Sequence, residues 1–226
     1  MGGEGDTGPV KLSKLAAAGG IAGPVLFTAA WVVGSVRQAG HSAAGVQLSG
    51  LAAEDARDPQ IMMAGFLVLG AGTVVFGAGL GRVTAPRSAG PWLVLLAGAA
   101  SVAAGVFRRD RMLLAGPGFA GESWHNQVHD VVSGVAYGAM LAAPLVLARR
   151  WRDDPDWAPL SRRVQVLTLV SAVALVVFAS RIAGPYNGVV QRFAVTLALT
   201  AEILIAGRML TLPVTGSPAR PGITPS

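Results

Sequence analysis

The sequence predicts an all-α fold: a polytopic inner-membrane bundle of six transmembrane helices, with both termini cytoplasmic and two long outer loops. Three observations support this prediction. First, 52% of the 226 residues are hydrophobic, only 13% are charged and the mean hydropathy is +0.54, which is too apolar for a soluble domain of this length. Second, six apolar stretches are long enough to cross a bilayer. Third, Lys and Arg are concentrated on one side of those stretches.

The six predicted spans are stretches of about 20 residues, which at a rise of about 1.5 Å per residue cross a hydrocarbon core of ~30 Å. Their predicted bounds are 15–36, 60–81, 91–107, 128–148, 163–182 and 188–209. The predicted regions are a cytoplasmic N-terminal tail at residues 1–14, a transmembrane domain at residues 15–210, and a proline-containing, disordered cytoplasmic tail at residues 211–226.

The orientation of the spans follows from the basic residues between them. Eleven of the 18 Lys and Arg residues fall on the side of the termini, and seven fall on the other side. Because cytoplasmic loops carry the excess of positive charge, both termini are expected in the cytoplasm. The outer connections 37–59 and 108–127 are then about twenty residues each, a length typical of functional or disordered loops.

Composition excludes several classes of function. Without cysteine, the chain has no disulfide and no thiolate metal site or thiol nucleophile. The net charge of +6 comes from residues that flank apolar segments, so nucleic acid is not an expected partner. The expected partner is the lipid bilayer. The sequence identifies no cofactor, and its glycine-rich helix faces suit packing within one chain or between chains, which leaves the oligomeric state open.

Histidine and carboxylate residues are concentrated in residues 122–130, just before the fourth span. His125 and His129 are four residues apart and share one face of a helix. Such a pair can transfer protons beside Asp130, can bind a divalent metal, or can hydrogen-bond at the membrane interface. The glutamate that follows the first histidine in zinc proteases is missing. We assign His125, His129 and Asp130 to proton transfer, and no residue to a metal site.

Arginines at the outer ends of the fifth and sixth spans are candidates for anion binding. Arg181 and Arg192 bracket a short turn, so both guanidinium groups enter the outer end of the bundle. Arginine binds phosphate and carboxylate groups bidentately, but it also contacts lipid head groups and pairs with acidic loop residues. We assign five residues to substrate binding: Arg108, Asp110, Arg181, Gln191 and Arg192.

Glu202 lies inside the sixth span, ten residues beyond Arg192. A charged side chain at the centre of a membrane helix costs ~2.5–3.5 kcal/mol even on insertion scales, so this carboxyl is expected to be protonated or partnered. Two interpretations are open: a catalytic acid deep in the pocket, or a side chain that reaches cytoplasmic water. The segment 47–53 of the first outer loop has the spacing of a short amphipathic helix on the outer surface.

Several of these stretches together resemble a prokaryotic membrane protein family known as domain of unknown function 998. The stretches are 20–27, 47–51, 62–66 and 188–192, together with Arg108, Asp110, His125 and His129. The resemblance covers roughly residues 15–210. It implies a six-helix fold with polar positions concentrated outside the membrane, and the family's name implies no activity.

The leading functional hypothesis is an outward-facing polar pocket in the plasma membrane that acts on a small amphiphile, such as a lipid or isoprenoid-like molecule, by acid–base chemistry. A non-enzymatic binding, accessory or immunity protein is the alternative hypothesis. A small transporter is a third, although the sequence contains no repeat typical of such proteins.

Overall fold

The structure, a computed structural model, describes residues 8–40, 42–83, 88–112 and 123–212. Within these residues the chain forms six long α-helices and no strand. The helices are α1 (Gly8–Arg37), α2 (Pro59–Val83), α3 (Ala89–Val106), α4 (Trp124–Arg150), α5 (Ala158–Ser180) and α6 (Asn187–Thr211). Each is long and apolar enough to cross a membrane.

The predicted all-α fold with six membrane spans is therefore confirmed, and the chain is a multi-pass membrane protein. The bounds differ modestly from those predicted: α1 begins at Gly8, inside the predicted N-terminal tail, and α5 ends at Ser180. The predicted disordered tail lies almost entirely outside the described residues. The side of the membrane on which the termini lie stays a prediction.

The six helices pack in chain order around a common centre. Each helix contacts the next, and α6 packs against α1 to close the ring. Glycines allow the closest approaches: a Cβ on Gly70 of α2 would lie 2.6 Å from the carbonyl oxygen of Gly98 of α3. Small residues at such positions let helix backbones meet in a membrane. The least extensive contact between successive helices is the one between α4 and α5.

The two ends of the bundle differ. One end, here called the long-loop end, carries the connections 38–58, 107–123 and 181–186, of which residues 41 and 113–122 lie outside the described part. At the opposite end, Trp151 and Trp157 stack with ring centroids 4.3 Å apart and close the core around Leu147. The predicted functional residues, apart from Glu202, belong to the long-loop end.

A short 3-10 helix, Leu48–Ala52, fills the long-loop end. All five of its residues are buried, and Leu48 and Leu51 pack against Phe27 and Met62. The prediction that this segment lies on the outer surface is wrong: its apolar residues contact the interiors of α1 and α2 rather than lipid. We call Leu48–Ala52 the plug helix.

Candidate functional site at the long-loop end

Arg109 is the centre of a polar cluster where α3, α4 and the plug helix meet. Its guanidinium donates to Ser49 Oγ at 3.4 Å and to Asn126 Oδ1 at 3.3 Å, and it lies 2.9 Å from Asp130 Oδ1. The Arg109 side chain is only 12% exposed, whereas that of Asp130 is 49% exposed. The pair therefore has a partly buried cation and an accessible carboxylate.

The charges around Arg109 act in opposite directions. Burial lowers the pKa of Arg109, and the positive charge of nearby Arg181 lowers it further, whereas Asp130 and Asp110 raise it. Arginine stays protonated in proteins even so. The cluster thus presents a permanent, partly desolvated positive charge, the condition under which an anion is bound most strongly.

Asp110 and Ser123 together start α4. Ser123 is the N-cap, and its Oγ accepts from the Asn126 backbone N–H at 3.2 Å. Asp110 in turn accepts from the Ser123 N–H at 2.9 Å and from its hydroxyl at 2.5 Å. These hydrogen bonds hold the pKa of Asp110 below its usual range. The carboxylate predicted to bind substrate is therefore engaged in fixing the beginning of α4.

His129 is buried, with 1% of its surface exposed. Its Nδ1 lies 2.8 Å from the carbonyl oxygen of Phe107 and 3.1 Å from that of Ala104. These carbonyls end α3 and have no helical donor, so Nδ1 carries the hydrogen and donates it. Among the described residues Nε2 has no hydrogen-bond partner, and the ring packs edge-on to Phe66. The geometry gives His129 the role of a cap on α3.

His125 lies one helical turn closer to the end of the bundle and is exposed. Its ring lies against that of Trp124, with centroids 3.9 Å apart, and its charge is close enough to lower the pKa of Asp110. The structure thus separates the two predicted proton-transfer histidines into one accessible ring and one buried ring. Within the described residues, no three His, Asp or Glu side chains come together as metal ligands would.

Gln191 and Arg192, predicted to bind substrate, both hold the first loop in place. Gln191 Oε1 accepts from the Leu48 N–H at 2.7 Å, and its amide nitrogen donates to the Tyr137 hydroxyl at 2.7 Å. Arg192 donates to the carbonyl oxygens of Ala43 and Val46, both at 2.7 Å. Buried backbone groups in a membrane protein need such partners.

The two remaining predicted arginines differ in position. Arg181 is exposed at the end of α5, with a left-handed backbone conformation at φ 58°. Arg108 is half-buried beside Arg109. Neither appears in an ion pair among the described residues, whereas Arg109 pairs with Asp130. Arg181 lies close enough to the Arg109 cluster to add positive charge to it.

Glu202 does not belong to this cluster. It is buried within α6 and accepts a hydrogen bond from Thr73 Oγ1 at 2.9 Å. Gln191 is 11 residues away on the same helix, or about 16 Å along its axis. The layer formed by Gln191, Tyr137 and the plug helix lies between the two sites.

Comparison with known families agrees with this architecture. A family model described as "Protein of unknown function (DUF998)" matches residues 21–208. The chain belongs to this family. The match includes all or part of each of the six helices, which confirms the resemblance inferred from the sequence. No curated protein and no solved structure matches the chain.

In this family member, the sequence prediction missed the residues at the centre of the cluster. Arg109, Asn126 and Ser49 were not assigned a role, and Asn126 is only 2% exposed. One signal for Arg109 was present: basic residues after the third span oppose the positive-inside bias, as expected of side chains held by protein contacts. Asn126 is four residues before Asp130, so both face the same partner on a helix.

Proposed function

We propose that the long-loop end binds an anionic amphiphile, such as a lipid or an isoprenoid-like molecule, and acts on it by acid–base chemistry. The observation that carries the proposal is the Arg109–Asp130 pair, in which a partly buried cation, hydrogen-bonded to Ser49 and Asn126, meets an exposed carboxylate. An anionic head group would approach Arg109 beside Asp130, with Arg181 adding positive charge.

Asp130 and His125 are the groups available for proton transfer in this proposal. Both are exposed on the first turns of α4, so a bound head group would reach them without any movement of the core. His129 instead joins α4 to the end of α3, because its Nδ1 donates to backbone carbonyls there. Asp110 positions α4 through Ser123.

The outer face of α4 supports an amphiphilic ligand over a soluble one. Asp130, Gly134 and Gly138 are spaced by four residues and so form one row along the helix. All three are exposed, and a Cβ built on either glycine would have nothing within 4 Å. The row leads from the polar cluster into the membrane-spanning part of α4, where a hydrocarbon tail would lie against bare backbone.

Three substitutions test the proposal: Arg109→Gln, Asp130→Asn and His125→Gln. The control is Arg37→Gln, because Arg37 forms an exposed ion pair with Asp58 at the same end of the bundle. Amphiphiles that copurify with each variant in lipid nanodiscs would be identified by mass spectrometry, and lipid and metabolite profiles would be compared in cells with matched membrane levels. We expect Arg109→Gln to lose the bound amphiphile.

Asp130→Asn separates binding from chemistry. The amide keeps one oxygen that can accept from Arg109 and Asn126, but it leaves the charge of Arg109 uncompensated. An anionic ligand should therefore bind more tightly, while any product that depends on proton transfer disappears. Equal copurified lipid in the wild type and Arg109→Gln, with Arg37→Gln unchanged, would overturn the binding site.

A non-enzymatic binding role is the second candidate. It is favoured by the number of predicted catalytic and binding groups that the fold itself uses: His129 for the end of α3, Asp110 for the start of α4, and Gln191 and Arg192 for the first loop. If this role is correct, His125→Gln and Asp130→Asn would retain ligand and leave every cellular profile unchanged.

A further inference from the structure

A small cavity lies at the centre of the bundle, between α2, α3, α4 and α6. The cavity has a volume of about 20 Å³, counted as the space that the centre of a water molecule can occupy. This is room for about one water-sized group. Its wall is apolar except for two side chains, Glu202 of α6 and Thr73 of α2. The cavity therefore surrounds one carboxyl group and one hydroxyl group with hydrocarbon.

Among the residues that the structure describes, no positive charge faces Glu202 across this cavity. The lining residues from α2, α3 and α4 include no titratable side chain. Arg208, the next cation along α6, instead donates to the backbone of Asp156 at the opposite end of the bundle. Glu202 is nine residues before the end of α6, about 13 Å along the axis. A carboxyl in such surroundings is compensated by a proton rather than by an ion pair.

The wall of the cavity also includes a residue whose backbone carbonyl lacks its helical donor. Pro144 lies inside α4 and has no N–H, so the carbonyl of Met140, four residues earlier, loses its helical hydrogen bond. Met140 and Pro144 both line the cavity that Glu202 lines. Thr73 Oγ1 donates to Glu202 Oε1 at 2.9 Å, which leaves Oε2 as the oxygen that would carry a proton.

We propose that Glu202, Thr73 and the Met140 carbonyl form a proton-binding site at mid-membrane depth. The bound ligand is a proton on Glu202 Oε2, donated in a hydrogen bond to the Met140 carbonyl, while Oε1 accepts from Thr73. A protonated carboxyl here both accepts and donates a hydrogen bond, so each polar group of the cavity has a partner. The site does not depend on the long-loop end, from which the plug helix separates it.

Infrared difference spectroscopy of the whole protein in lipid nanodiscs tests the site directly, because a protonated carboxyl has a carbonyl stretch distinct from those of carboxylates and amides. We expect a band at neutral pH that is lost in Glu202→Gln and moves on exchange into D₂O. Thr73→Val should shift the same band to higher frequency, because a hydrogen bond accepted at Oε1 lowers that frequency.

A second pair of variants tests the Met140 carbonyl. Pro144→Ala restores a backbone N–H that competes for that carbonyl, so the hydrogen bond from Glu202 should weaken and the band should shift. Pro24→Ala is the matched control, because Pro24 also lies inside a helix but does not line the cavity. Absence of the band in the wild type, or equal shifts in both proline variants, would overturn the proposal. Loss of the band on adding Na⁺ at constant pH would also overturn it, in favour of a metal cation.

Discussion

Replacing His129 by alanine distinguishes a structural histidine from a catalytic one. The substitution removes the donor to the carbonyl oxygens of Ala104 and Phe107, which lie 3.1 and 2.8 Å from Nδ1, and it empties a site that is 1% exposed. An unsatisfied buried acceptor costs about 1–3 kcal/mol, and loss of a large buried side chain adds a cavity cost, so we expect a loss of about 3–5 kcal/mol.

Two further variants calibrate this loss. His125→Ala removes an exposed ring, and we expect a change within about 0.5 kcal/mol. His129→Asn places an amide nitrogen near the position of Nδ1, so it should recover about 1–3 kcal/mol of the loss. The free energy of unfolding would be measured by tryptophan fluorescence during reversible unfolding in mixed detergent micelles. An alanine variant as stable as the wild type would refute the capping role of His129.

Three other substitutions test the long-loop end. The hydrogen bonds from Ser123 lower the pKa of Asp110 in the folded protein. The stability that they contribute is therefore complete above the ordinary carboxyl pKa of about 4 and is lost as pH falls through the lowered folded pKa. Asp110→Asn should remove this acid dependence when unfolding is measured as a function of pH. Gly188→Ala would place a Cβ 2.5 Å from the Val46 carbonyl oxygen and should lower the free energy of unfolding by about 1–3 kcal/mol. The control is Gly138→Ala, whose Cβ would meet no atom within 4 Å and should not destabilise the protein. Equal melting temperatures for the two variants would contradict the packing of the first loop on α6. Leu48→Ala, in the plug helix, should lower the free energy of unfolding by about 2–5 kcal/mol. If it destabilises the protein less than the substitution of an exposed residue does, Leu48 is not buried as described.

The sequence predicted the helices well because a bilayer imposes their length and their apolar character. The relative depth of side chains at the helix ends could not be predicted in the same way. His125 and His129 do share one face of α4, but α3 ends at Val106, level with His129. The ring of His125 is one turn higher and extends beyond the end of α3, so it is exposed. Helical spacing gives the shared face but not where the neighbouring helix ends.

Arg108 and Arg109 show a second limit of sequence reasoning. Both follow the end of α3, where the chain is no longer helical, so no periodicity indicates which of the two faces inward. The partners that hold Arg109 come from two distant parts of the chain: Ser49 in the plug helix, and Asn126 and Asp130 on α4. Only the packing of the plug helix against α4 brings them together.

The polar start of α6 has a physical explanation that does not require a substrate. A loop that enters a membrane bundle brings backbone N–H and carbonyl groups into surroundings without water, and each needs a partner. Gln191 accepts from the N–H that begins the plug helix, and Arg192 donates to two carbonyls of the preceding turn. An amide and an arginine side by side at the beginning of a membrane helix can therefore indicate a buried loop. Because Gln191 and Arg192 are used in this way, the Arg109 cluster is the part of the long-loop end that is available to a ligand.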